Sequence, residues 1–311
     1  MIHLRAPAKL NLYLRVVGPR SDGYHEIETV FERVDLADEL TFQLHPTDIR
    51  LTCTGGDLPS GEDNLVVKAA RLLRQAGGGR RGAEMHLIKR IPIAAGLGGG
   101  SSDAAAALSG LNELWGLGLS RPALLELAAQ LGSDVPFFLS DAPFAIGRGR
   151  GEVCEPFAEA APLFHVLVVP DAQLSTRQVY EGFDQRAQLD FSTRPLALLG
   201  IVPSKRSESS HLTALTPSIS MVEHALRNGS LSELAKGLWN DLEPEAIRRC
   251  PAISLIQLEL QRLGCLAACV SGSGPSVFGL CRDGAHAEEL AERLRRSAKQ
   301  PWRVEVLNTQ R

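Results

Sequence analysis

Pro92-Ile-Ala-Ala-Gly96-Leu-Gly98-Gly99-Gly100-Ser101-Ser102-Asp103-Ala-Ala-Ala-Ala-Leu108 is the stretch that decides how this chain folds. A strand-like run, 84–91, leads into it, and a helix expected at 102–114 leaves it. Glycines adopt positive φ and let the backbone approach an anion closely. The unpaired N–H groups and the dipole of a helix start favour negative charge. Ser101 and Ser102 either cap that helix or bond a phosphate or its Mg2+. A flexible linker is the plainer alternative, but a linker rarely joins a well-formed strand to a well-formed helix. Two common phosphate motifs fail: the loop has no P-loop lysine, and the sixth residue counted from Gly96 or Gly98 is not glycine. The loop therefore reads as a nucleotide phosphate cradle of another kind.

Outward from the loop, both periodicities occur. Ala8, Leu10, Leu12 and Leu14 alternate with Lys9, Asn11, Tyr13 and Arg15, the pattern of a half-buried strand. A loop at 18–23 and strands at 25–34, 39–44 and 48–53 follow. Residues 64–75 read as a helix capped by Asp63 or Asn64, with Leu65, Ala69, Leu72 and Leu73 as its apolar stripe. A further helix is expected at 120–131, stopped by Gly132. Residues 147–152 read as a turn and 163–169 as an apolar strand. A domain boundary is expected near 156–162, dividing 1–158 from 159–311. Beyond it come a polar loop at 203–211, helices near 218–227, 230–238, 251–263 and 284–297, and a strand–glycine–strand unit at 266–281. This mixture predicts an α+β protein rather than a doubly wound sheet.

The 311 residues are 44% hydrophobic and 22% charged, with a formal net charge of -3. At roughly 100–200 residues per domain, that is two domains or one large one. The balance is not the basic footprint of a nucleic-acid binder. Cys53, Cys154, Cys250, Cys265, Cys269 and Cys281 lack zinc-site spacing and read as reduced thiols. No N-terminal leader pattern is present, and no run reaches the ~18 apolar residues of a membrane span. A cytoplasmic protein with no nucleic-acid or membrane partner is expected.

The loop resembles the phosphate motif of the GHMP kinases. Pro7-Ala-Lys-Leu-Asn-Leu-Tyr-Leu14 is similar to that family's N-terminal motif, and Val270-Ser-Gly-Ser-Gly-Pro-Ser-Val-Phe278 to its C-terminal glycine motif. Asp22-Gly-Tyr-His-Glu26, Leu131-Gly-Ser-Asp-Val-Pro-Phe-Phe138 and Asn240-Asp-Leu-Glu243 narrow the likeness to one branch. The resemblance implies two halves, one ribosomal-protein-like and one a ferredoxin-like α/β plait, with the active site in the cleft between them. It also implies ATP and Mg2+ as cofactors, and a small-molecule acceptor, 4-diphosphocytidyl-2-C-methyl-D-erythritol, phosphorylated on its 2-hydroxyl in the non-mevalonate route to isoprenoids. Another small-molecule kinase of the family, for mevalonate or homoserine, is the alternative. The assembly expected is a monomer or weak homodimer. Many members carry Ala where this chain has Ser133; the neighbouring Asp134 matches.

On this likeness, Lys9 and Asp134 are the catalytic candidates. From pattern alone Lys9 could be a solvated residue on an edge strand, and Asp134 a helix cap. As active groups, Asp134 is the base, made more basic by desolvation beside Val135–Phe138, and Lys9 holds Asp134 ionised and attracts the γ-phosphate. The candidate ATP residues are Asn64, Pro92, Ile93, Ala94, Ala95, Gly96, Leu97, Gly98, Gly99, Gly100, Ser101 and Ser102, with Asn64 either a cap or part of an adenine pocket. The candidate acceptor residues are Asn11, Tyr24, His25, Asp134, Gly272, Ser273 and Gly274. Tyr24 and His25 are implied to hold cytidine by stacking and hydrogen bonding; packing at a strand end is the alternative. Gly272 and Gly274 either turn a hairpin or approach substrate. Asp103, in the first turn of a helix, reads as structural.

Overall fold

The alternating N-terminal segment folds as strand β1 (Ile2–Pro19), antiparallel to β2 (His25–His45). The computed structural model describes residues 1–56, 58–79, 81–192, 217–297 and 301–310, without the side chains of 187–192. The loop expected at 203–211 lies outside these residues. The first half continues with β3 (Ile49–Thr54), α1 (Leu65–Ala76), β4 (Gly82–Ile88), α2 (Gly99–Leu114), α3 (Arg121–Leu131), α4 (Val135–Phe138), β5 (Phe144–Arg148) and β6 (Val153–Phe157). The second begins with β7 (Phe164–Val169), α5 (Thr176–Ser192), α6 (Ile219–Arg227), α7 (Leu231–Gly237), β8 (Trp239–Asn240) and α8 (Glu243–Arg249). It ends with α9 (Ala252–Leu263), β9 (Ala267–Val270), β10 (Val277–Cys281), α10 (Gly284–Ser297) and β11 (Arg303–Asn308).

Two sheets organise these elements. One has seven strands, ordered β3-β4-β2-β1-β8 with β5 on β2 and β6 on β5. The other has four, ordered β11-β7-β10-β9. With the intervening helices its chain order is βαββαβ, the ferredoxin-like plait. Helices α1 and α2 cover the first sheet through a core that includes Phe42, Met85, Leu108 and Trp115. A second core joins the halves, since Leu10, Leu12 and Phe144 pack in one cluster with Leu167, Phe278 and Leu307. Each such side chain, fully buried, contributes about 1.5–3 kcal/mol. Among the described residues, no helix is long and apolar enough to cross a membrane.

Several expectations change. The strands expected at 25–34 and 39–44 are one. Asp35 and Asp38 look like strand breakers, but their carboxylates are satisfied: Asp35 accepts from Asn308 N–H (2.9 Å), and Asp38 from the N–H groups of Arg90 (2.6 Å) and Ile91 (2.9 Å). β1 is buried on both faces from Ala8 to Leu14, not half-buried, because the second half covers its polar face; Lys9 is only 3% exposed. Helix α2 starts at Gly99, three residues before the expected Ser102, with Gly98 as its cap residue at φ 69° and no side-chain cap. β4 ends at Ile88, so Lys89–Ile91 belong to the loop. Helices α5 and α8 and strands β5, β6, β8 and β11 were not foreseen.

Candidate functional site

A cleft of about 920 Å³ opens where the start of α2 meets the loop between β9 and β10. That is within the usual size range for small-molecule sites. Every candidate residue lines it except Ser102 and Gly274. Ser102 is 1% exposed, and its hydroxyl is buried with no hydrogen-bond partner among the described residues. It neither caps α2 nor faces the cleft, because the helix begins ahead of it. Gly274 packs towards Val270, Ala246 and Leu174.

The early helix start leaves the N–H groups of Gly99, Gly100 and Ser101 ahead of the first helical bond, Ser102 N–H to Gly98 O at 2.9 Å. These donors and the α2 dipole face the cleft and suit an anion. The loop is folded tightly: Ala94 holds φ 53°, uncommon for a residue with a side chain. Gly96, at φ 78°, lies against the second glycine loop so closely that a Cβ there would be 2.1 Å from Ser271 O. Ser271 Oγ donates to Gly96 O at 3.0 Å. Asn240 braces the same loop, donating through Nδ2 to Val270 O (2.8 Å) and Gly272 O (2.7 Å). Asn64 has both ends of its amide engaged, accepting from Val66 N–H (2.9 Å) to cap α1 and donating to Pro59 O (2.8 Å).

Lys9 is the most constrained charge in the cleft. Its ammonium donates to Gly96 O at 2.9 Å and to Asn11 Oδ1, and lies 3.5 Å from Asp134 Oδ2. Three hydrogens meet three acceptors, an arrangement that needs the protonated form. Burial lowers the Lys9 pKa, and Asp134 works against that shift. Hydrogen bonds to a charged group are worth about 1.5–3 kcal/mol each. Three of them are comparable with the several kcal/mol needed to desolvate an ammonium. The orientation of Asn11 is set from behind. Thr29 Oγ1 donates to Tyr13 O (2.6 Å), so its lone pair accepts from Asn11 Nδ2 (2.8 Å), and Asn11 Oδ1 is left facing Lys9.

Asp134 occupies the cap position of the four-residue α4 but makes no cap hydrogen bond. Its side chain is 30% exposed to the cleft. The carboxylate is therefore open, not sealed among the phenylalanines as the sequence suggested, and its partner is Lys9.

The opposite end of the cleft is aromatic. Tyr24 is 53% exposed, and the Arg150 guanidinium lies 4.8 Å from its ring centroid. His25 stacks on Tyr180 at 4.8 Å, and its Nε2 meets Asp184 Oδ1 at 2.8 Å. Burial, followed by the nearby Asp134, raises the Tyr180 hydroxyl pKa. Ser273 Oγ meets Thr176 Oγ1 at 2.9 Å.

Beneath the phosphate loop, Lys89 Nζ bridges Asp38 and Asp103, the latter at 2.9 Å. Burial pushes Asp103 up to about 7, with Lys89 opposing and Asp38 adding to the rise. Asp103 is thus not a first-turn carboxylate as expected: α2 starts at Gly99 and has no acid in its first turn, and Asp103 serves in this buried ion pair instead.

Sequence reasoning missed Lys89, Arg150, Thr176, Tyr180 and Asp184. Val179 and Phe183 sit four apart on α5 and pack against the core, a stripe that would have revealed this helix and with it Tyr180. Arg150 lies in 147–152, which reads only as a turn because it carries no periodic signal.

Residues 64–142 match the family model for the GHMP kinases N terminal domain, and 222–300 the GHMP kinases C terminal model. The chain is 44% identical over 296 residues to the 4-diphosphocytidyl-2-C-methyl-D-erythritol kinase of Pelotomaculum thermopropionicum, covering 95% of this chain and 94% of that one. A solved 4-(cytidine 5'-diphospho)-2C-methyl-D-erythritol kinase aligns with TM-score 0.74 and 34% identity, covering 98% and 99% of the two chains. Homoserine kinase from Cytophaga hutchinsonii shares the fold, with TM-score 0.69 at 19% identity over 99% and 95%. This chain belongs to the GHMP kinase family, in its 4-diphosphocytidyl-2-C-methyl-D-erythritol kinase branch.

Proposed function

We propose that this cleft transfers the γ-phosphoryl group of ATP to the 2-hydroxyl of 4-diphosphocytidyl-2-C-methyl-D-erythritol, giving its 2-phosphate and ADP, in the non-mevalonate supply of isoprenoid precursors. The observation that carries this reading is the Lys9–Asp134 pair, 3.5 Å apart, in one cavity with the α2 start on one side and Tyr24, His25 and Tyr180 on the other. The phosphate chain of ATP lies along Ala94–Ser101, with Asn64, Leu58 and Pro59 as walls of its base pocket. The cytosine stacks at Tyr24 and is held by His25. Asn11, Gly272 and Ser273 flank the acceptor. Asp134 takes the proton of the 2-hydroxyl as that oxygen bonds to the γ-phosphorus and ADP leaves. Lys9, 3.5 Å from that carboxylate, holds it in place and favours the incoming charge.

The donors beside the loop suit Mg2+. Among the described residues no three His, Cys, Asp or Glu side chains converge to hold a metal. Mg2+ does not need such a cage, since it keeps waters and takes substrate phosphates with one or two protein oxygens. The Ser101 hydroxyl, on the cleft wall, is the protein oxygen we assign to it. When bound, the ion neutralises phosphate charge.

The lobes are read as 1–158 and 159–311, consistent with the change of sheet between Phe157 and Phe164. The assembly proposed is a monomer or weak homodimer. All six cysteines are free, in keeping with a cytoplasmic enzyme. The test is a substrate panel: purified protein, ATP and Mg2+ with the cytidyl acceptor, mevalonate or homoserine, following ADP. Turnover of the cytidyl acceptor is expected. No turnover there, but turnover with either of the others, overturns the assignment.

A further inference from the structure

The acceptor assigned above carries a diphosphate between its cytidine and its methylerythritol. We infer that Arg150 is the group that holds this diphosphate. The inference rests on that acceptor assignment.

Arg150 sits in the turn between β5 and β6. Its neighbour Gly151 presents its Cβ position 3.7 Å from Asp134 Oδ1. Its own guanidinium stacks on Tyr24. One turn thus spans the distance from the aromatic end of the acceptor site to the reacting end, which is the interval a diphosphate bridge must cross. The side chain is fixed in advance. Nη2 donates to Ala129 O at 3.3 Å, Nε lies 3.6 Å from Glu152 Oε1, and Glu152 Oε2 accepts the Arg150 N–H at 2.6 Å. Nη1 has no hydrogen-bond partner among the described residues, and the side chain is 23% exposed, on the cleft wall.

The surrounding charges leave this role to Arg150. The acceptor wall is otherwise acidic, with Asp134, Glu181 and Asp184 lining it. A doubly charged bridge laid along it needs a cation. Lys9 has all three hydrogens engaged, and Arg177 is paired with Glu181 and 87% exposed. An arginine fork suits phosphate oxygens and loses little freedom when it is already held. Arg150 lies over one face of Tyr24, which places its charge beside the ring proposed to stack on the base.

Calorimetric binding of CDP and of cytidine tests this, with the phosphate loop filled by a non-hydrolysable ATP analogue, in the parent, Arg150→Gln and Arg150→Lys proteins. Arg150→Gln should weaken CDP by about tenfold or more, the loss of one charge-assisted contact, and leave cytidine within about twofold. Arg150→Lys should recover part of the CDP affinity through its point charge. Equal weakening of CDP and cytidine would mean that Arg150 acts only by bracing Tyr24. Unchanged CDP binding would place the diphosphate elsewhere. Either result overturns the proposal. Should Arg150→Gln melt early, the parent protein decides: its preference for CDP over cytidine must shrink as ionic strength rises, and a salt-independent preference overturns the proposal. A parent protein that binds neither ligand instead overturns the acceptor assignment, and this inference with it.

Discussion

Replacing Thr29 by valine separates a chemical role for Asn11 from mere packing beside Lys9. Thr29 is fully buried and joins Tyr13 O to Asn11 Nδ2 at 2.6 and 2.8 Å. Valine keeps the shape and removes both bonds. A buried donor left unsatisfied costs about 1–3 kcal/mol, which is the stability loss expected in urea unfolding. The larger consequence is directional. Without the threonine hydroxyl nothing forces Asn11 Oδ1 towards Lys9, so the ammonium loses one of its three acceptors. A bond to a charged group is worth about 1.5–3 kcal/mol, so kcat should fall about 10- to 100-fold where that loss is felt in the transition state. The KM for ATP should stay within about twofold, since no loop residue is touched. The pH profile gives a second readout. Burial already lowers the Lys9 pKa. Losing an acceptor lowers it further, so the alkaline limb of kcat moves to lower pH. Steady-state kinetics across pH, beside unfolding curves, measure all of this. A Thr29→Val protein that loses stability while keeping parental kcat and alkaline limb would refute the orientation argument.

Three further outcomes follow from the same geometry. Asp134→Asn should lower kcat by about 10²–10⁴, the span of a lost general base, and should also lower the melting temperature, because the buried Lys9 ammonium loses its carboxylate partner. Gly96→Ala should lose at least about 1–3 kcal/mol in urea unfolding and weaken ATP binding in calorimetry, because a side chain at φ 78° is strained and its Cβ would drive the two glycine loops apart. Asp103, pushed up to about 7 by burial, contributes stability that is complete below its unfolded pKa of about 3.9 and lost as pH rises through about 7. Asp103→Asn should therefore gain stability relative to the parent as pH rises across that window, read from urea midpoints; a pH-independent difference would rule out this titration.

Much of the site was legible because its parts are local. The glycine loop carries its own conformational demands, and Lys9 and Asn11 fall on one strand face by simple alternation. What alternation could not show is who covers that face. Lys9 looked solvated because its burial comes from Ser271–Gly272, more than 250 residues away in the chain. The same limit applies to Asp38, which reads as a strand breaker until Arg90 and Ile91 supply its N–H donors. Ser102 failed for a local reason: serine is a favoured cap, and only the positive φ of Gly98 reveals that the helix has already begun. Tyr180 and Arg150 were hidden because the aromatic end of the cleft is assembled from a helix and a turn that meet only in three dimensions.

The carbonyl of Gly96 receives Lys9 Nζ from one half and Ser271 Oγ from the other, at 2.9 and 3.0 Å. Its consequence concerns inheritance. A gene that exchanged its second half with a relative's would bring a new partner to this oxygen, and the reacting lysine would register the mismatch before any substrate arrived. The two loops therefore have to change together, and recombination points that part them are the ones selection should remove.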